Sequence, residues 1–501
     1  MFFSKLNQVG GGKNPNHPSN AKNVVNKITS TKVVTTVKVQ KKSSKPTSDS
    51  ASPRPSPPDS RKLKNDVSRS PIRVGTKRTV RAMVHQSDDE DDEGEDNWDL
   101  NIKRLASSSK EGTPGLILED DRKMYIGDEV LRITSSNSLE STTIPETIIH
   151  AANITLPADY SPIFETLIEF TLQLPFGYEK YKVSRPKRLE DTDFMHELDT
   201  VMEMVAAELV PSQYSVQIKD PSMRDCIVRR VRRAVQGKDQ EKFLASINEY
   251  NELMINLRKE GELKKKLESM SRLPAYITVE FLNQVYRRVV SPRSQELRDY
   301  KAFSNNVYGE LLPSFVSRIF RQTGLVSKSV FVDLGSGVGN CVLQAALEVG
   351  CESWGCEIMK TASELAELQK NELESRLKLY GIKAGPISVR SADFVNNSEI
   401  QAVIQRADTV LVNNYAFSPE LNGSLVDMFL DLKDGCKIVS LKSFVPPGHT
   451  ISEYNIESPL NILDVESYQF GDDSVSWTTV GGDYYISSVN RSRLSDLINR
   501  V

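Results

Sequence analysis

Cysteine is scarce in this 501-residue chain and badly spaced for pairing. Cys226, Cys341, Cys351, Cys356 and Cys436 are odd in number and contain no CxxC pair. That pattern excludes a disulfide framework and a cysteine zinc site, and five reduced core thiols are expected. Long apolar runs are also missing. No stretch reaches the roughly 18 apolar residues of a membrane span, and the three apolar residues at the N-terminus give way to Lys and Gln. Neither a signal peptide nor a spanning helix is expected, which places the chain among soluble intracellular proteins. Aromatic residues make up only 7%. In the first 86 residues they are almost confined to Phe2 and Phe3, too little apolar surface to offset the entropy of ordering that stretch.

The formal net charge of −3 hides a strong asymmetry. Residues 1–86 carry 18 Lys and Arg against Asp49, Asp59 and Asp66, a balance of +15 that leaves −18 for the rest. Such a Lys/Ser/Pro/Asn-rich arm reads as disordered. It suits nucleic acid, because each phosphate it neutralises releases a counterion; the plainer readings are a solvated tail or an import signal at Arg61-Lys62-Leu63-Lys64 or Lys77-Arg78 with Arg81. Residues 88–99 then hold nine acids in twelve positions, either a solvated run or one that contacts a basic partner surface or masks the arm.

Residues 87–150 read as the acidic run and a linker, and 160–305 as a mostly helical part, with Phe243, Ile247, Met254 and Leu257 at helical spacing and Pro274 and Pro292 as punctuation. Arg224, Arg229, Arg230, Arg232 and Arg233 cluster on one of these helices, as a solvated face or as a contact to DNA or to a protein partner.

Chemistry concentrates in 306–501. Phe331 and Val332, with Val330, form a β-branched run that ends at Asp333-Leu334 and opens onto Gly335-Ser336-Gly337-Val338-Gly339-Asn340 before a helical pattern. A buried parallel strand leading into a glycine loop and a helix start is a nucleotide-cofactor site. The dinucleotide fingerprint requires glycine at the sixth place, and that place is Asn340. The GxGxG spacing, with an acid two residues ahead, is instead that of Rossmann-like S-adenosylmethionine-dependent methyltransferases. A plain strand-to-helix turn is the bland alternative.

The following segments read as the rest of such a sheet. Strand 353–357 ends in Glu357, placed to accept ribose hydroxyls or to cap the long helix closed by Gly381. Strand 387–390 leads to Asp393, a possible acceptor from an adenine amino group, and to Phe394, which can pack on the ring. Strand 409–412 runs into Asn413-Asn414-Tyr415-Ala416-Phe417, helix 418–432 and strand 437–441 follow, and the segments at 462–465, 475–477 and 484–489 supply an antiparallel edge.

Three strings make the resemblance specific. Asn305-Asn306-Val307-Tyr308-Gly309-Glu310-Leu311, Val412-Asn413-Asn414-Tyr415-Ala416-Phe417 and Val475-Ser476-Trp477, in this order around the glycine loop, resemble the disruptor-of-telomeric-silencing family of fungal type, the non-SET histone H3 lysine methyltransferases. The likeness covers about residues 160–501 without departure inside the motifs. It implies a class I methyltransferase with a seven-stranded Rossmann-like α/β sheet and an N-terminal helical subdomain. It implies transfer of methyl groups from S-adenosyl-L-methionine to lysine 79 of H3 on nucleosomes, in the nucleus, in telomeric silencing and chromatin regulation, with no metal. Histone H4 and ubiquitinated H2B are further implied contacts, and DNA would be met by the arm.

By the same likeness the loop Tyr308, Gly309, Glu310 and Leu311 closes over the methionine end of the cofactor. Tyr415, Trp477 and Tyr484 line a channel for the substrate lysine, Asn413 orients its amine, and Phe417 packs near the cofactor. Each aromatic has a competing reading as core. Lysine's ordinary pKa of about 10.4 makes a dry aromatic channel useful, since it disfavours the ammonium. Only His196 and His449 fall in the enzymatic region and neither is in a matched motif, so no general base is assigned. A nicotinamide oxidoreductase, a class I methyltransferase of another protein or RNA, and an inactive chromatin scaffold remain the rivals.

Overall fold

The computed structural model describes residues 31–32, 147–188, 191–220, 222, 225–270, 273–299, 309–471, 474–478 and 480–493. Apart from Thr31 and Lys32, the basic arm and the acidic run lie outside the described residues, as do Arg224 and Tyr308.

Twelve strands are described. β1 (Thr31–Lys32) pairs with the edge of the main sheet; β2 (Tyr160–Pro162) pairs with β5 (Ser184–Pro186), and β3 (Glu169–Leu174) with β4 (Gly177–Lys182). The main sheet holds β6 (Val330–Leu334), β7 (Glu352–Glu357), β8 (Ile387–Ser391), β9 (Thr409–Val412), β10 (Lys437–Ser440), β11 (Leu463–Phe470) and β12 (Gly482–Val489). Its order is β1-β11-β12-β10-β9-β6-β7-β8. β6 to β10 are mutually parallel, and β12 lies antiparallel between β10 and β11. β6 and β9 are buried along their whole length, as continuous apolar strands covered by helices on both faces must be. The chain order reverses between β6 and β9, and the carboxyl ends of strands at such a point open a crevice.

Seven strands therefore form the Rossmann-like methyltransferase sheet that the sequence leads one to expect, with two differences of detail. Val475 to Trp477 is not a strand; only Val475 makes an isolated bridge, to Leu311. The N-terminal part also holds the four short strands β2 to β5, whose alternation is too brief to stand out against the long helical stretches that follow.

One apolar cluster runs from that N-terminal part into the helices flanking the sheet. It joins Leu172 and Tyr181, the stripe Ile277, Phe281 and Val285 of helix Ala275–Val289, and Leu373 and Leu377 of helix Lys360–Lys378. Phe281 meets Tyr380 edge-on at 4.7 Å. Gly381 ends the latter helix at φ 73°, and a Cβ there would stand 2.6 Å from Phe176. Both backbone angle and space therefore demand glycine.

Inside this cluster sits a charged network with no solvent exposure at its centre. Arg288 pairs with Glu179 at 2.7 Å and with Glu197; Arg376 pairs with Glu179 at 2.7 Å and Glu372 at 2.7 Å. The segment ahead of helix Ala151–Ile154 is tied in, because Ile149 N donates to Glu372 and Ile149 O accepts from Arg376. The arginine cluster of helix Ile227–Gln236 is also paired within the chain: Arg230 with Glu249, Arg232 with Asp199 and Glu203, Arg233 with Asp225.

Burial pushes the Glu179 carboxyl up, but Arg288 and Arg376 outweigh it and hold the group below its ordinary value. Ionised Glu179 thus stabilises the fold above its unfolded pKa, and that contribution is lost as pH falls through the lower folded value. Glu179→Gln leaves two buried guanidiniums short of an anion and is expected to destabilise the chain by about 3–5 kcal/mol. Urea denaturation of the two proteins at neutral pH measures the loss, which should shrink as the pH is lowered through the acid range.

Candidate functional site

The turn after β6 is built by backbone angles that glycine alone adopts freely. Gly335, Gly337 and Gly339 have φ of 83°, 56° and 86°. The turn is bound to the end of β7: Gly335 N and Ser336 N both donate to Cys356 O, at 2.9 and 3.1 Å. A Cβ on Gly355 would lie 2.7 Å from Ser336 Oγ, so the β7 glycine is what lets the turn settle on the sheet.

Glu357, at the tip of β7, accepts from Gly337 N at 2.9 Å and from Met359 N at 2.7 Å. It thus holds Met359, the residue ahead of helix Lys360–Lys378, and also lines the crevice. Burial raises its pKa against those two N–H donors. Asp333, 4% exposed, is pushed up to about 8, first by burial and then by the negative Glu357.

A second wall comes from the segment beginning at Gly309. Glu310 and Ser476 exchange backbone and hydroxyl bonds at 2.9 Å, and Leu312 N donates to Ser474 O at 2.9 Å. The Trp477 ring fills the space where a Gly309 Cβ would be, 2.6 Å away. Tyr286, from helix Ala275–Val289, donates its hydroxyl to Glu310 Oε1 at 3.1 Å. Asn413 Nδ2 donates to Gly309 O at 3.2 Å, joining this wall to the end of β9. Its neighbour Asn414 is saturated, accepting from Leu441 N and Lys442 N and donating to Lys442 O and Asn422 Oδ1.

These walls enclose a cavity of about 250 Å³. Of the residues expected from sequence, Gly309, Glu310, Leu311, Asp333, Gly335, Ser336, Gly337, Val338, Asn340, Glu357, Asp393, Phe394, Asn413 and Phe417 line it. Phe394 and Phe417 lie stacked, centroids 6.4 Å apart, and make its apolar end. Asp393 is engaged locally, accepting from Val395 N at 3.0 Å and Asn396 Nδ2 at 2.7 Å.

Several expected residues are placed elsewhere. Phe331, Val332 and Leu334 are fully buried inside β6, their side chains in the cores above and below the sheet. Gly339 packs on Ala366, whose Cβ lies 3.3 Å from where its own would be. Tyr484 is 1% exposed, donates its hydroxyl to Gln322 and packs edge-on against Phe315 at 5.0 Å. It belongs to the core rather than to the cavity wall, because the pleat of β12 turns it toward helix Pro313–Thr323. Tyr415 and Trp477 do pair, centroids 5.6 Å apart, with Lys442 Nζ 5.4 Å from the Tyr415 ring. They stand beside the Gly309 wall rather than in the cavity lining.

Cys341, expected from sequence only as a core thiol, lines the cavity as well, as do Ile358, Leu411 and Leu421. The first two adjoin Asn340 and Glu357 and were within reach of inspection; Leu411 and Leu421 look like ordinary core positions and carry no signal.

The residues present fit an S-adenosylmethionine molecule. The turn comes close enough for main-chain contact, carboxylates stand where a cation and hydroxyl groups are to be held, and two aromatic rings suit a purine. Asn340 Nδ2 is also a buried donor without a hydrogen-bond partner. Gly337 is the sharpest test: its φ of 56° lies in the left-handed region, where an arginine is strained but not sterically forbidden. Gly337→Arg is expected to melt somewhat below the unmodified chain because of that backbone strain, to remain folded, and to lose S-adenosylmethionine binding, as read by thermal melts and calorimetry. Unchanged affinity in a folded variant removes the turn from the site.

Residues 286–489 match the family model described as Histone methylation protein DOT1. Three relatives named histone-lysine N-methyltransferase, H3 lysine-79 specific, are similar over longer stretches. The one from Yarrowia lipolytica is 55% identical over 64% of this chain and 65% of its own length. That from Emericella nidulans is 45% identical over 71% and 72%, and that from Aspergillus fumigatus 42% identical over 73% and 74%. With the site in place and such identity across more than two thirds of the last two proteins, the chain belongs to the histone methylation protein DOT1 family.

Proposed function

We propose that this chain methylates lysine 79 of histone H3, with S-adenosyl-L-methionine as the methyl donor, acting on nucleosomes in the nucleus. What supports the reading best is the meeting of Asp333, Glu310 and Glu357 with the Phe394–Phe417 pair in one cavity at the strand-order reversal, in a chain of this family. When bound, S-adenosylmethionine supplies a methyl group already activated on a sulfonium sulfur. The protein's work is then to orient an uncharged amine and exclude water.

Asn413, held by its bond to Gly309 O, is proposed to keep its free carbonyl oxygen for the amine. Tyr415 and Trp477 flank the approach beside it. Tyr484 acts at one remove, by holding helix Pro313–Thr323 against β12. The basic arm is proposed to bind DNA, and histone H4 and ubiquitinated H2B are proposed as further contacts that orient the enzyme on a folded histone surface. A role in telomeric silencing follows from that substrate.

Asp333 gives the cofactor reading a pH signature. Its pKa is raised to about 8, so its contribution to the stability of the ligand-free fold is fully present below the unfolded value near 3.8 and is lost as pH rises through about 8. A sulfonium cation favours the ionised form. Cofactor affinity is therefore expected to rise as pH increases from about 6 to 8 and to level off above, with proton release on binding. Calorimetry in two buffers of different ionisation enthalpy measures this, and Asp333→Asn should flatten the profile.

Substrate form provides the direct test. With labelled cofactor and mass spectrometry of the product, nucleosomes are expected to be methylated far faster than free H3 or an H3 peptide. Deleting residues 1–86 should flatten the dependence of log affinity on log salt without altering cofactor affinity. Equal rates on peptide and nucleosome at physiological salt favour a different protein or an RNA as substrate.

A further inference from the structure

One buried amide outside the glycine turn decides which way an amide inside it faces. Gln369, 1% exposed, projects from helix Lys360–Lys378, one turn beyond the Ala366 that packs on Gly339. Its Nε2 donates to Val338 O at 2.6 Å and to Asn340 Oδ1 at 3.1 Å. A backbone carbonyl only accepts, so Gln369 must turn its nitrogen toward Val338. That nitrogen only donates, so Asn340 must present its oxygen to Gln369. The orientation of both amides thus follows from Val338 O. What remains is Asn340 Nδ2, a buried donor without a partner, on a residue that lines the cavity. Buried donors are nearly always satisfied, and a ligand acceptor in the cavity satisfies this one.

We infer that Gln369 is a positioning residue for the cofactor: it presents Asn340 Nδ2 to an acceptor oxygen of S-adenosylmethionine and pins the Val338 carbonyl in the same turn. The inference rests on the cavity being the cofactor site. It sets Gln369 apart from the family strings, because its role depends on two donated bonds that only the folded chain brings together.

Two substitutions separate presentation from packing. Gln369→Met keeps the volume and removes both donors, leaving Asn340 free to rotate. Gln369→Glu places an acceptor beside Asn340, which then turns Nδ2 toward it and presents Oδ1 to the cavity, acceptor against acceptor. Binding of S-adenosylhomocysteine by the full chain is measured by calorimetry, with thermal melts of the ligand-free proteins alongside. Gln369→Met is expected to weaken binding about tenfold, as for the loss of one to two hydrogen bonds. Gln369→Glu is expected to weaken it further, and KM for the cofactor should rise while kcat is largely kept. In an Asn340→Ala background the difference between the Glu and Met variants should disappear.

Wild-type affinity in a folded Gln369→Met chain overturns the inference while leaving the cofactor site standing. So does full additivity with Asn340→Ala. Absence of binding by the unmodified chain overturns the cofactor reading, and this inference with it.

Discussion

The buried pairing of Glu179 with Arg288 and Arg376 is the constraint on which the geometry of the cavity depends. Apolar burial is non-directional and tolerates small shifts. A charge network buried this deeply is satisfied only in one arrangement, and breaking it costs far more than its formation contributes. Glu179 stands on β4, Arg288 on helix Ala275–Val289 and Arg376 on helix Lys360–Lys378. The same two helices reach the cavity. Tyr286, two residues before Arg288, holds Glu310, and Gln369, two turns before Arg376, holds Val338 and Asn340. Fixing the two helices through the charged network therefore also fixes the two cavity walls that they hold.

The cavity concentrates carboxyl groups that do not neutralise one another. Asp333 and Glu357 are both raised by burial, and the charge of Glu357 raises Asp333 further. Such an arrangement is costly in the empty protein and is relieved by a cationic ligand, which makes it better suited to discriminating between charged states of a cofactor than to building stability. Glu357 is held by one N–H group on each of its oxygens, from Gly337 and Met359, which leaves lone pairs on both.

Aromatic side chains separate into those that line and those that support. Phe394 and Phe417 enclose the cavity, and Tyr415 pairs with Trp477 at the Gly309 wall under the charge of Lys442. Tyr484 stands one layer deeper, between Phe315 and Tyr468. Asn414 ties the ends of β9 and β10 together and so carries Lys442 to its place near Tyr415.

The parallel strands as segments, the glycine turn and the acids at strand ends were legible in the residues, because each depends on local backbone chemistry: φ above zero at Gly335, Gly337 and Gly339, apolar runs at β6 and β9, and an acid closing β7; the order of the strands in the sheet was not. Of the Asn413-to-Phe417 string, Asn413 and Phe417 do line the cavity, because the string leaves the carboxyl end of β9. What only the tertiary structure decided depends on contacts between residues far apart in the chain. Nothing local distinguishes Tyr484 from a wall residue, or reveals that Gln369 faces the turn. Nor does anything near Glu179 foretell an arginine 109 or 197 residues away. A side chain's partners are set by the packing of whole helices, which no short window of sequence contains.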